Sequence, residues 1–162
     1  MYRQNDNDLK NKHMMKRTAT AVWNGNIKEG QGTISTESAV LNKTSYSVAS
    51  RFENGVLKFN GQPSTNPEEL MAAAHAGCFT MKLNLLLTTA GFNPTTLETQ
   101  CSVTLDPKIA AITQSALKLK ARVAGITKER FNEITQDAKA NCPVSKAYQN
   151  NMEITLEAEL LA

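Results

Sequence analysis

Three thiols and one imidazole are the reactive side chains that stand out in this sequence. Cys78 lies in His75-Ala76-Gly77-Cys78-Phe79, Cys142 in Asn141-Cys142-Pro143-Val144-Ser145, and Cys101 in Gln100-Cys101-Ser102. The thiolate is the nucleophile, so each cysteine must be weighed by what its surroundings do to the anion. Cys78 sits among small and apolar residues, where desolvation raises a thiol pKa; taken alone it reads as packed and inert. Ala72-Ala73-Ala74 and Ala76-Gly77 nonetheless allow close approach of other backbone or of a small substrate. Cys142 can cap a short helix opening at Pro143, whose unpaired amides would acidify it, so local physics makes it the more acidic thiol. A packed loop cysteine accounts for it equally well. Cys101 falls on the apolar side of an alternating run and reads as a small core residue.

His75 precedes Cys78 by one helical turn, which puts both on one face and permits a Cys–His nucleophile pair. No third group is visible to orient the imidazole, so a satisfied structural histidine is the better reading. A zinc site from His75, Cys78 and Cys142 is the weakest. Glu68 and Glu69 follow Asn66-Pro67, where capping and dipole complementation already explain them. In a continuous helix Glu68 lies about 15 Å along the axis from Cys78, so a shared role needs a break or a second subunit. Arg51, beside Phe52, reads as a strand-edge charge, unless it holds a thiolate and the alkoxide leaving from a broken O–O bond.

The elements that must position these groups follow from pattern. Thr18 to Trp23, Gly32 to Thr36 and Tyr46 to Phe52 are short β-branched and aromatic runs, expected as antiparallel strands, with a hairpin turn at Asn54-Gly55. Asn66 caps a long helix starting at Pro67 and ending at Gly91, apolar enough to be buried on most sides. Leu97 to Leu105 and Leu117 to Val123 alternate as half-buried strands. Thr127 to Ala140 is an amphipathic helix with Phe131, Ile134 and Ala138 on one face. A last strand turns Met152, Ile154, Leu156, Ala158 and Leu160 inward. Segregated strands with two main helices give an α+β fold.

The totals narrow the function classes. A chain of 162 residues suits one domain, read as residues 15–162 behind a polar, aperiodic extension over residues 1–14 that is expected to be disordered or a cloning remnant. Apolar residues make up 41% and charged residues 20%, as in globular proteins. The net charge of +3 gives no case for nucleic acid. No apolar run is expected to span a membrane and no signal-like stretch opens the chain, which points to the cytoplasm. Three scattered cysteines do not make a secreted disulfide framework, and in a reducing compartment a pair is more often catalytic than structural.

The ordered blocks TESAVLN, RFE, TNPEELMAAAHAGCF, AGFNPT and NCPVSKA resemble the OsmC family, relatives of the organic hydroperoxide resistance proteins, over Met15 to Ala162. The resemblance implies an OsmC-like α+β fold, antiparallel sheets around a long central helix in an interlaced homodimer with its sites at the interface. It implies reduction of organic hydroperoxides, and more weakly of hydrogen peroxide, without metal, haem or other cofactor. By motif, Cys78 is then the peroxidatic thiol, Cys142 the resolving thiol, Arg51 the active-site arginine and Glu68 its carboxylate partner, with an external dithiol as reductant. The alternative from another class is a redox-sensing or non-enzymatic dimeric module of the same fold.

Overall fold

The computed structural model describes residues 14–52, 58–59 and 61–161, grouped into two compact units, Met1–Thr65 and Asn66–Ala162. Nearly all of the N-terminal extension and the Asn54-Gly55 turn lie outside the described residues.

The first unit holds β1 (Ala19–Asn24), β2 (Gln31–Thr36), β3 (Thr44–Tyr46), the short helix α1 (Val48–Phe52), β4 (Lys58–Phe59) and β5 (Gln62–Thr65), in sheet order β1-β2-β3-β5-β4. The Tyr46 ring lies over Gly32, its partner in register, and a side chain at position 32 would overlap that ring. Arg51 belongs to α1 and not to a strand. The reason is local: the Ser47 amide donates to Ser50 Oγ (2.9 Å) and the Ser50 amide to Ser47 Oγ (3.0 Å), a reciprocal cap that outweighs the strand preference of Val48 and Phe52. With Arg51 and Phe52 helical, β4 takes β5 as its hairpin partner, and Gly61 (φ +77°) lies in the turn between them.

The second unit holds α2 (Pro67–Thr89), β6 (Pro94–Asp106), β7 (Ala111–Val123), α3 (Lys128–Asn141), α4 (Pro143–Tyr148) and β8 (Glu153–Leu160). Its sheet runs β6-β7-β8, and β7 pairs with β8 in parallel because α3 and α4 carry the chain back before β8 begins. With β3 and β5 also parallel, both sheets are mixed rather than wholly antiparallel. The core joins Phe79, Leu83 and Leu87 of α2 to Leu117, Leu119, Ala121 and Val123 of β7 and to Phe131, Ile134 and Ala138 of α3. Helices and strands are segregated, an α+β architecture.

Three expectations need correction here. By length and composition α2 could cross a membrane, with a mean hydropathy of 1.3, although no run was expected to qualify. Nor is it buried on most sides: the stripe His75, Phe79, Leu83 and Leu87 is buried, while Met81 is 71% and Leu85 55% exposed. Partners on one side bury one stripe of a helix and leave the opposite face outward. Ala158 is also exposed, since β8 is the edge strand of its sheet.

Candidate active site

The start of α2 is fixed by its sequence. Asn66 Oδ1 accepts the Glu69 amide (2.8 Å), Pro67 takes the first helical position, and Glu68 and Glu69 complement the positive end of the dipole. The helix ends where Gly91 adopts φ +87° and the Phe92 amide reaches back to the Leu87 carbonyl (2.9 Å). Four-residue spacing of the buried stripe leaves Cys78, one residue before Phe79, half-buried at its margin.

Cys142 is placed by its proline. Pro143 cannot continue α3, and it drives the preceding residue into extended backbone, here φ −67° and ψ 125°. Cys142 thus ends α3, its amide donating to the Ala138 carbonyl (2.9 Å), and starts α4. Its side chain is wholly buried and turned toward α2.

These two constraints bring the thiols together: Cys142 Sγ donates to Cys78 Sγ at 3.2 Å. No disulfide bond joins Cys78, Cys101 or Cys142 in this structure. Forming a disulfide bond of about 2.05 Å from this contact requires the sulfurs to close by only about 1 Å.

The electrostatics differ from the simple helix-cap picture. Cys142 caps α4 but makes no side-chain cap hydrogen bond, and the Val144 amide of the first turn is directed at Cys78 instead. Burial pushes the Cys78 thiol up, the Val144 amide opposes that rise, and the neighbouring Cys142 adds to it. The acidifying donor expected for Cys142 is therefore delivered to the thiol on the other helix.

His75 is fully buried and bonded on both sides, Nδ1 to Ser115 Oγ (2.7 Å) and Nε2 to Ser145 Oγ (2.9 Å). Burial holds its pKa below the ordinary imidazole value. Tyr148 meets the ring edge-on at 5.3 Å, and Cys101 Sγ lies 3.3 Å from Ser115 Oγ. Both nitrogens are thus taken by hydroxyls, and the orienting groups that sequence reasoning missed are Ser115 and Ser145. Each left a signal: Ser115 is a polar residue at an inward position of β7, and Ser145 follows Cys142 by one helical turn. Among the described residues no three His, Cys, Asp or Glu side chains converge as a metal site would require.

Glu68 and Arg51 stand differently. Because α2 is continuous, Glu68 in its first turn is about 15 Å along the axis from Cys78 of the same helix. Arg51 belongs to the first unit, where its guanidinium lies 5.6 Å from the centre of the Phe52 ring.

Comparison with known proteins adds an independent line. Residues 59–157 match the family described as OsmC-like protein. Over 142 residues the chain is 49% identical to Peroxiredoxin OsmC of Escherichia coli (strain K12), covering 86% of this chain and 93% of that one. It is 31% identical over 100 residues to organic hydroperoxide resistance protein-like 1 of Staphylococcus epidermidis, covering 60% of this chain and 71% of that one. The crystal structure of the organic hydroperoxide resistance protein OhrB of Bacillus subtilis superposes with a TM-score of 0.61 at 26% identity, over 88% of this chain and 98% of that one. An organic hydroperoxide resistance protein of Elizabethkingia anophelis shares the fold, with a TM-score of 0.70 at 22% identity over 93% of this chain and 99% of that one.

Proposed function

The chain belongs to the OsmC-like protein family, and from that membership and the 3.2 Å contact of Cys78 with Cys142 we propose that it is a thiol-dependent peroxidase acting on organic hydroperoxides in oxidative stress defence. Cys78, the more open thiol, is the peroxidatic residue. Its thiolate attacks the distal oxygen of ROOH, so that an S–O bond forms, the O–O bond breaks, and the alkoxide leaves as ROH after taking a proton. The thiolate of Cys142 then attacks Cys78 sulfur; the disulfide forms and the sulfenic oxygen leaves as water. Two electrons from an external dithiol return the pair to thiols.

The observation that carries this division of labour is the difference in exposure across one contact. A wholly buried Cys142 does not meet bulk peroxide first but lies against the sulfur that does. Arg51 stabilises the Cys78 thiolate and the departing alkoxide, and Glu68 orients Arg51 through a bidentate pair. Two copies of the chain interlace so that this pair reaches Cys78 of the opposite copy. The long run of α2 between Glu68 and Cys78 supports that arrangement, as do Met81 and Leu85, which expose apolar surface three and seven positions beyond Cys78. The apolar surroundings favour organic hydroperoxides over hydrogen peroxide. The cytoplasm, where thiols are kept reduced, is the compartment this chemistry needs.

Hydroperoxide consumption with a dithiol tests the proposal. Repeated turnover that disappears in Cys78→Ser is expected. Full rate in that variant rules out the peroxidatic assignment, and a single oxidation per chain without turnover identifies a sensor instead.

A further inference from the structure

α4 has six residues, its cap residue supplies no side-chain hydrogen bond, and an isolated helix of this length does not hold its shape in water. Yet the first turn of α4 must be held against Cys78, because it carries the Cys142 thiol at its cap and the Val144 amide just inside. What fixes it is visible one helical turn further along both helices. Cys142 meets Cys78, and Ser145, three residues on in α4, meets His75, three residues back in α2. α4 is therefore docked on α2 at two matched points, a pair of thiols and a hydroxyl–imidazole pair.

The second point is anchored in depth. His75, Ser115 and Ser145 are all buried, and the other ring nitrogen is bound by Ser115 from β7. Tyr148, at the end of α4, packs its ring against the same imidazole and directs its hydroxyl to the Met71 carbonyl (3.4 Å). Among the described residues no buried side-chain nitrogen or oxygen lacks a partner, so moving α4 off α2 would break a fully satisfied buried network.

We propose that His75 is a positioning residue for the resolving step: by joining Ser115 on β7 to Ser145 on α4 it holds the Cys142 thiol in line with Cys78. This rests on the peroxidase reading of the cysteine pair. When Cys78 is a sulfenic acid, closure by Cys142 competes with attack by a second hydroperoxide, which converts the sulfenic to a sulfinic acid and releases a second ROH. A mispositioned Cys142 loses that competition, while the first attack at Cys78 loses only the share that the Val144 amide contributes to its thiolate.

The test separates the two steps in Ser145→Ala and His75→Gln. Single-turnover mixing with an organic hydroperoxide is expected to give sulfenic acid formation within about threefold of the parent and disulfide closure slowed about tenfold or more, the scale of one lost buried hydrogen bond. Overoxidation of Cys78, read by mass, should then begin at about a tenth of the hydroperoxide concentration. Thr80→Val is the control, since it removes another hydrogen bond of α2, Thr80 Oγ1 to Thr99 Oγ1 (2.7 Å), without touching α4. Unchanged closure in Ser145→Ala, or equal slowing in Thr80→Val, overturns the proposal. If His75→Gln does not fold, Ser145→Ala carries the test alone. Closure can also be followed without peroxide: Cys78 loaded as a mixed disulfide with an aromatic thiol releases the coloured thiolate as Cys142 attacks. A chain that consumes no hydroperoxide would refute the peroxidase reading and leave this measurement intact.

Discussion

Cys142 Sγ stands 3.2 Å from Cys78 Sγ, with Cys142 fully buried and Cys78 at the margin of the core. That geometry assigns different outcomes to the two serine variants. Cys78→Ser should lose turnover by more than about 10³-fold, the scale on which removal of a nucleophile acts. Cys142→Ser should still consume one equivalent of hydroperoxide and accumulate a sulfenic acid that a cyclic diketone traps, then stall. Intact-mass spectra after one equivalent check both. A Cys142→Ser chain that never forms sulfenic acid would show that Cys78 is not the attacking residue.

The Cys78 thiol is raised by burial despite the Val144 amide, so at neutral pH little of it is thiolate unless another group assists. Arg51 is the proposed helper. In Arg51→Gln the rate of sulfenic acid formation should fall about 10²-fold at pH 7, as when one donor to a developing anion is removed. It should then climb with pH across the range in which the parent enzyme has levelled off. Identical pH profiles would remove Arg51 from the site.

Much of this arrangement is legible in the residue pattern alone. The Asn-Pro-Glu-Glu start of α2, the alternation in β6 and β7 and the amphipathic α3 carry local signals that tertiary packing had no cause to override. Arg51 was misplaced because the deciding feature, two serines capping each other, contains neither the Asp nor the Glu that usually betrays a helix start. The thiol served by the first turn of α4 escaped for a different reason. Which sulfur receives an amide depends on how two helices dock, and no local pattern around Cys142 says that Val144 serves Cys78.

Whether the site is shared between two copies can be decided by mixing two inactive proteins. Cys78→Ser retains Arg51, and Arg51→Gln retains Cys78, so a mixed dimer rebuilds one complete site only if these residues meet across the interface. Random reassortment makes half of all dimers mixed, each with one of its two sites intact, and predicts recovery of about a quarter of the parental rate. No recovery after verified exchange would place Arg51 beside Cys78 of its own chain. Charged replacements at Met81 and Leu85, which are exposed on α2, should lower the dimer fraction in light scattering.

His75 also predicts how stability depends on pH. Burial lowers its native pKa below the unfolded value of about 6.5, so between the two values the unfolded chain binds a proton that the native chain does not. Stability conferred by the neutral imidazole is therefore fully present above about pH 6.5 and is lost as the pH falls toward the native pKa, at no more than about 1.4 kcal/mol per pH unit for one proton. The ionisable neighbours in the network do not interfere, because burial pushes both the Cys101 thiol and the Tyr148 phenol further above this range. The remaining ionisable groups are common to parent and variant. Urea midpoints of the parent and His75→Gln should therefore converge between pH 7.5 and pH 5.5, the parent losing its advantage on the acid side. Parallel midpoints across that interval would mean that the native imidazole takes up its proton as readily as the unfolded one, and that the pair of serines holds the charged ring as well as the neutral one.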